Sequence, residues 1–249
     1  LVAIGSSLLS SGVGSGGVSI ALAVGVVALG PWIPSALFAL NPLGDQQAVL
    51  PTTLTAVDAR SFVHGVALPG LVYGFPLAVT LTAAAAVAVS LSLPLVVGLV
   101  ALAAFLAVVA AALCPAIGVL LPRFSAISVG QADEVLPPRF SAVVASLALV
   151  SLPGGYLALL VVAPAGAQTL LAGLVGWLPA LLVDVLAALL SLSLDGVSGW
   201  FTDLAERIVD IETATFRFGA GGLLVAAGVA SALAAYRYAV GTVREFSLT

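Results

Sequence analysis

Long apolar runs separated by short polar stretches dominate the hydrophobic pattern of this chain. Most of these runs reach about 20 residues, the length that a helix needs to cross a bilayer core of roughly 30 Å. They are apolar on every face, whereas the strands of a transmembrane barrel alternate apolar and polar residues over about ten positions. The pattern therefore predicts an all-α polytopic membrane protein, a bundle of about five to six transmembrane helices.

The apolar runs set the layout of a single predicted transmembrane domain over residues 1–249. A short run at 1–10 is interpreted as the end of a truncated span, because the chain opens on Leu1 and contains no Met. A less regular run covers 169–194. Full spans are predicted at 18–40, 66–91, 95–121, 141–162 and 219–236.

Composition supports the membrane assignment. Hydrophobic residues make up 62% of the chain and charged residues only 7%, against about 25% charged residues in soluble domains. A soluble fold of this length could not cover its surface with so few polar groups. Lysine is absent and acids exceed bases by 11 to 7, which is typical of a salt-loving source. We expect a multi-pass protein of the plasma membrane of a halophilic organism.

Arginine predicts the orientation, because cytoplasmic loops hold the excess of Lys and Arg. Loop 41–65 contains Arg60, and loop 122–140 contains Arg123 and Arg139, each within the repeated word PRFSA. The short links at 92–94 and 163–168 contain no arginine. Loops 41–65 and 122–140 are therefore predicted to be cytoplasmic. In each PRFSA the arginine would lie at head-group level, so plain topological anchoring explains the repeat as well as a docking role does.

The run at 169–194 is ambiguous. Gly173, Gly176 and Pro179 are expected to break it near its middle, and Asp184 is costly deep in a bilayer. The arginine count is five inside and two outside whether this run crosses or turns back. We predict an external re-entrant hairpin within a region over 163–218, and a cytoplasmic C-terminus.

A surface helix is predicted directly after this run. Apolar residues fall on one helical face and acids on the other, which is typical of a helix lying in the membrane interface. The apolar face comprises Val197, Trp200, Phe201, Leu204, Ile208 and Ile211, and the acidic face comprises Asp203, Glu206 and Asp210.

Catalytic chemistry is not indicated by any motif. The chain has one histidine, His64, and one cysteine, Cys114, whereas metal sites need clustered ligands and nucleophiles need an adjacent base. A phosphate-binding loop of the Walker type ends in Gly-Lys-Ser/Thr, and there is no lysine. We therefore predict no enzyme activity, no cofactor, no metal and no nucleic-acid partner. An ion-coupled carrier would need an ionisable group within a span, for which Asp184 is the candidate.

The first cytoplasmic loop has helical features of its own. Leu50, Leu54 and Val57 are spaced as an amphipathic stripe, Pro51 suits a helix start and Gly65 suits its end. These signals predict a short cytoplasmic helix over 50–64, either a membrane-surface anchor or a docking element.

The next span begins close behind this helix. It contains Gly70 and Gly74, a small-x-x-x-small spacing that indicates close helix packing.

Two strings carry a family resemblance. ALNPLGDQQAVLPTTLTAVDARSFVHGVALPGLVYGFPLA resembles the region between the second and third spans of permease subunits of ATP-binding-cassette exporters of the type-two class, most closely the archaeal ones. PRFSAISVGQADEVLPPRFSA resembles a later loop of the same permeases, with Ser125 after Phe124 and Pro137–Pro138 at the close as departures from their pattern. Together the strings cover about a quarter of the chain.

The resemblance implies a membrane-spanning subunit of an ATP-driven exporter, which works with a separate ATPase subunit and pairs with a second permease bundle. It also favours the re-entrant reading of 169–194. An ion-coupled secondary transporter and a structural membrane protein without a transport role remain the alternatives, and the spans offer no specific group for a substrate. The residues expected to couple to the ATPase are Leu54, Asp58, Arg60, Phe62, Arg123, Phe124 and Arg139.

Overall fold

The fold is described from a computed structural model, which describes residues 15–43, 57–123, 127–129, 132–135, 137–190 and 193–246. The elements are α1 (Ser15–Leu29), α2 (Trp32–Ala39), α3 (Ala59–Ala88), α4 (Leu93–Leu120), β1 (Ile127–Val129), β2 (Ala132–Val135), α5 (Phe140–Val162), α6 (Pro164–Ala172), a π-helical turn (Gly173–Trp177), α7 (Leu178–Leu190), α8 (Asp195–Asp210) and α9 (Thr213–Phe246).

Long helices dominate these elements, which confirms the predicted helical fold and is compatible with a multi-pass membrane protein. Within the described residues, six helical stretches are long and apolar enough to cross a bilayer, by length and composition: Ile20–Ala39, Ala59–Ala88, Leu93–Leu120, Phe140–Val162, Pro164–Ala187 and Thr213–Glu245.

The first span is interrupted, whereas the sequence predicted an unbroken run over 18–40. Helix α1 ends before Gly30 and Pro31, and α2 begins after them. The physical reason is proline, which has no backbone N–H. Pro31 cannot donate to the carbonyl of Val27, and Pro34 cannot donate to the carbonyl of Gly30. Two of the hydrogen bonds of a continuous helix are therefore impossible at this point.

The predicted end of the cytoplasmic helix at Gly65 is wrong, because Gly65 lies inside helix α3. It begins after Asp58, which caps its N-terminus, and it passes through Gly65 without ending. Residues 59–64 are thus the first turns of a 30-residue helix. The apolar residues that follow Gly65 continue the helix into the span, so one glycine does not end it. The earlier part of the predicted helix, over 50–56, lies outside the described residues.

The close packing predicted from Gly70 and Gly74 is confirmed. A Cβ added at Gly70 would lie 3.1 Å from the Cα of Ser35, and one at Gly74 would lie 3.0 Å from the Cβ of Pro34. The two glycines therefore let α2 approach the backbone of α3.

Loop 122–140 contains a β-ribbon that the sequence analysis did not predict. Strands β1 and β2 pair antiparallel, with Ile127 opposite Val135 and Val129 opposite Ala132. Isoleucine and valine favour strands, but three or four residues are too few for a periodic signal. Asp133 and Glu134 belong to β2.

The expected break at Gly173, Gly176 and Pro179 is wrong. The helix continues from α6 to α7 through a π-helical turn, in which the N–H of Leu178 donates to the carbonyl of Gly173. This wider turn shifts the hydrogen-bonding frame just before Pro179, so the missing N–H of that proline does not end the helix. The structure thus gives no support for a re-entrant turn within 169–194. The helical hairpin that it does contain has α6–α7 as one arm and α8 as the other.

Two compact units can be distinguished in the chain by their packing. Unit 1 comprises the residues up to Ala158 and those from Val225 onward, and unit 2 is Leu159–Leu224. Helices α5 and α9 contribute to both units. The range of unit 2 is close to the region 163–218 that was predicted to be external.

Candidate functional site

One end of unit 1 gathers residues from five separate parts of the chain into a single apolar core. We call this end the arginine pole, for the arginines described below. Its core contains the end of α2, the start of α3, the end of α4, the start of α5 and the end of α9. Representative core residues are Leu40, Leu43, Phe62, Val63, Cys114, Ile117, Ala142, Val240 and Val243.

Polar contacts join these segments at the arginine pole. The backbone N–H of Arg123 donates to the Oδ1 of buried Asn41 at 3.1 Å, which joins the beginnings of the two predicted cytoplasmic loops. The His64 Nε2 and the Tyr236 Oη lie 3.0 Å apart, and the two rings are stacked with centroids 5.4 Å apart. That second contact joins the start of α3 to the end of α9.

Five of the seven arginines flank this pole. Arg60 lies in the first turn of α3, Arg123 follows α4, Arg139 precedes α5, and Arg237 and Arg244 lie in the last turns of α9. Arg123 is half-buried and the other four are exposed. The remaining two arginines, at 207 and 217, belong to unit 2.

Asp58 has a defined structural role at the pole. Its Oδ1 accepts a hydrogen bond from the Arg60 N–H at 2.9 Å, and its Oδ2 accepts from the Ser61 N–H at 3.2 Å and from the Ser61 Oγ at 2.7 Å. These bonds lower the pKa of the Asp58 carboxyl, the Ser61 hydroxyl contributing most. Asp58 was predicted as an ATPase contact, and its carboxylate is already engaged as the cap of α3.

The other predicted coupling residues fall into three groups. Arg60 and Arg139 are exposed, and Arg123 is half-buried. Phe62 is buried in the core of the pole, so it is not a surface residue and can affect a partner only by holding the first turn of α3. Leu54 and Phe124 lie outside the described residues.

Helices α5 and α9 both run between the arginine pole and the opposite end of unit 1. On α5, Ser146 accepts a hydrogen bond from the Trp32 Nε1 at 3.0 Å near the pole, and Gly154 packs against Leu106 in the middle of α4. On α9, Gly228 packs against Phe105, also in the middle of α4, and the later residues reach the pole. The chain thus leaves unit 1 through α5 and returns through α9 at the same end, away from the pole.

Unit 2 is built around close contact between α8 and the helix that contains the π-turn. A Cβ added at Gly176 would lie 2.4 Å from the Cβ of Ala205 and 2.7 Å from the carbonyl oxygen of Phe201. Ser198 and Ala205 are the buried residues of α8. The packed face therefore lies to one side of the apolar stripe that the sequence predicted, and Val197 and Trp200 of that stripe remain exposed.

Gln168 joins the two ends of unit 2, and the sequence analysis did not single it out. The side chain is buried on α6. Its Nε2 donates to the carbonyls of Ile208 at 2.7 Å, Val209 at 3.2 Å and Ile211 at 2.7 Å. Its Oε1 accepts from the Thr213 Oγ1 at 3.3 Å. The only sign of this role in the sequence is that Gln168 is an uncharged polar residue at the edge of an apolar run.

Metal-binding side chains are not clustered in the described part of the chain. Among those residues, no three His, Cys, Asp or Glu side chains lie close enough to hold a metal ion. Cys114 is buried as a free thiol, and Asp184 is exposed on α7. Comparisons with models of protein families, with curated proteins and with solved structures found no match to this chain.

Proposed function

We propose that this chain is the membrane-spanning permease subunit of an ATP-driven exporter, with the arginine pole as the docking face for a separate ATPase subunit. The observation that carries the proposal is that the two loops with family resemblance begin side by side, joined by the Arg123–Asn41 hydrogen bond. Arg60 and Arg139 are exposed at the same pole. An acidic partner surface would find several guanidinium groups there, each able to bind a carboxylate with two hydrogen bonds.

The proposed orientation has the arginine pole in the cytoplasm, following the excess of arginine in cytoplasmic loops. Helices α5 and α9 support an external position for the segment between them. Both join unit 1 at the end away from the pole, so the chain between α5 and α9 starts and finishes on one side of the membrane. A single crossing by α6–α7 would bring Arg237 and Arg244 to the side opposite Arg60, whereas all three flank one pole.

The charges on α8 support a re-entrant hairpin over a pair of complete crossings. Helix α8 lies along α6–α7, from Gly176 beside Ala205 to Gln168 beside Ile208. If α6–α7 crossed fully, α8 would lie beside it in the bilayer. Asp203, Glu206 and Asp210 are exposed on α8, and an acid at a bilayer centre costs about 2.5–3.5 kcal/mol. We therefore propose that the hairpin enters only part of the outer leaflet, with the acidic face of α8 in water.

Co-purification tests the proposed function. Tagged protein purified in mild detergent from its native membrane should carry an ABC-type ATPase with it. The double variant Arg123→Lys, Arg139→Lys should insert normally but retain less ATPase, because lysine is a point charge that lacks the planar fork of arginine. The matched control is Arg207→Lys, Arg217→Lys in unit 2, which should retain the wild-type amount.

Two outcomes would count against this proposal. Absence of any ATPase from the purified wild-type complex would remove the exporter function. Equal retention in both double variants would mean that Arg123 and Arg139 are topological anchors only. As a further check, the chain purified alone should hydrolyse no ATP, because it lacks a phosphate-binding lysine and a Walker loop.

A further inference from the structure

The C-terminal end of α8 presents a hydrogen-bonding problem that Gln168 solves. The last carbonyls of a helix have no intrahelical N–H partner, and in a region shielded from water each unsatisfied group is costly. Here the carbonyls of Ile208, Val209 and Ile211 all face one side-chain amide. The Gln168 side chain is only 4% exposed, so water does not replace these bonds.

The chemistry of the amide fits this position closely. Its nitrogen carries two hydrogens, which match the two contacts of 2.7 Å to Ile208 and Ile211, with Val209 as a weaker shared acceptor at 3.2 Å. Its oxygen accepts from the Thr213 hydroxyl in the first turn of α9. The opposite orientation of the amide would set its oxygen against three carbonyls, so the partners fix the orientation.

We infer that Gln168 is a conformational clamp, which holds the corner between α8 and α9 against α6 and controls the opening of the hairpin. Because one side chain satisfies groups on both sides of the corner, the arms of the hairpin and the start of α9 move as one body while the clamp is closed. Opening would remove several hydrogen bonds together. The inference stands on unit 2 alone and does not depend on an ATPase or on transport.

Cysteine accessibility measures this opening. Ala172 is fully buried one turn after Gln168, on the face of α6 that leads to Gly176. In a Cys114→Ala background, Ala172→Cys supplies a single thiol that reacts when α8 leaves α6. Native Cys114, fully buried in unit 1, supplies the reference thiol in chains with Ala172 unchanged.

We expect Gln168→Leu to raise the rate of thiol modification at position 172 about ten-fold, because buried carbonyls lose their donors. The rate at Cys114 should stay at its wild-type value. Thr169→Val is the matched control, since the Thr169 hydroxyl donates to the Ala165 carbonyl within the same helix. This control should leave the rate at position 172 unchanged.

Gln168→Glu separates a hydrogen-bonding role from simple packing. A carboxylate facing three carbonyls has no donor, so the closed state raises the pKa of the new carboxyl above its ordinary value of about 4.3. The closed state is then favoured below the ordinary pKa and is lost as the pH rises through the raised pKa. With a methanethiosulfonate reagent, the rate relative to the Gln168 parent should increase from about pH 5 to pH 8.

Three results would overturn the inference. They are an unchanged rate at position 172 in Gln168→Leu, an equal rise at Cys114, and a relative rate for Gln168→Glu that does not vary with pH. If Gln168→Leu fails to fold, the pH series of Gln168→Glu decides alone, because its protonated carboxyl restores one donor at the acid end.

Discussion

Buried hydroxyl groups in this protein differ in whether a partner lies within reach. On α5, the Ser146 Oγ accepts from the Trp32 Nε1 and donates to the Val143 carbonyl at 2.9 Å. Five residues further along the same helix, the Ser151 Oγ is buried without a hydrogen-bond partner. The same residue type thus has opposite energetic consequences at two neighbouring positions.

Replacing these two serines by alanine should therefore give different stabilities. Ser146→Ala leaves the indole N–H of Trp32 without its acceptor, which we expect to cost about 1–3 kcal/mol. Ser151→Ala removes an unsatisfied buried hydroxyl and should be neutral or slightly stabilising. Thermal unfolding in detergent, followed by circular dichroism, measures both variants. Equal destabilisation by the two substitutions would contradict this explanation.

The cap of α3 should show a characteristic dependence on pH. The pKa of Asp58 is lowered by its bonds to Ser61 and Arg60, so its contribution to stability is present above the ordinary pKa of 3.8 and is lost as the pH falls through the lowered pKa. Asp58→Ala should lower the unfolding temperature at neutral pH, and the difference from wild type should shrink on acidification. Asp203→Ala removes an exposed acid of α8 and is the control. A difference independent of pH would exclude the capping role.

Glycines determine how closely the helical elements approach one another. In the π-turn, a Cβ at Gly176 would overlap α8, whereas one at Gly173 would have no atom within 4 Å. The two positions lie in the same turn of the same helix. They therefore separate the effect of helix contact from the effect of glycine on the backbone.

Alanine at these two positions should have opposite effects. Gly176→Ala forces α8 away from its partner, and such overpacking typically costs about 1–3 kcal/mol. Gly173→Ala should be neutral or should stabilise the helix by up to about 1 kcal/mol. In a Trp32→Phe background both remaining tryptophans, Trp177 and Trp200, lie in unit 2. Their fluorescence during denaturation gives the stability of that unit, and similar midpoints for the two variants would refute the contact.

Element positions could be predicted from the sequence more reliably than element ends. Apolar runs located every long helix, because burial in lipid requires continuous hydrophobicity. The end predicted at Gly65 failed, since a glycine followed by apolar residues does not stop a helix that continues into a span. The break predicted at Pro179 failed because a π-turn absorbs the missing N–H. Contacts such as Gln168 with Ile208 depend on which segments fold together, which periodicity does not reveal.

At the scale of the whole molecule, the paths of α5 and α9 determine the number of crossings. Both helices join the arginine pole to the opposite end of unit 1, so in the proposed topology the segment between them crosses an even number of times or not at all. Arginine counting could not decide this point, because a crossing run and a run that turns back both give five arginines inside and two outside. The contact between His64 and Tyr236 shows instead that the start of α3 and the end of α9 lie at the same end of unit 1.

Cysteine labelling tests whether the segment between α5 and α9 begins and ends on the same side of the membrane. In a Cys114→Ala background, Ser61→Cys and Glu245→Cys should react with an impermeant maleimide from the cytoplasmic side. Asp203→Cys should react from the external side. All three parent residues are exposed. Labelling of positions 61 and 245 from opposite sides would contradict the fold of unit 1, and cytoplasmic labelling of position 203 would contradict only the proposed orientation of the hairpin.

The shared end of α5 and α9 also has a consequence for how such a chain can diversify. Because α5 and α9 leave unit 1 at the same end, the residues between Val162 and Thr213 form an insertion between two helices of unit 1. A replacement of any length preserves the direction of every remaining span, provided that it also begins and ends on that side. The segment could therefore be replaced without reversing the direction of any helix of unit 1.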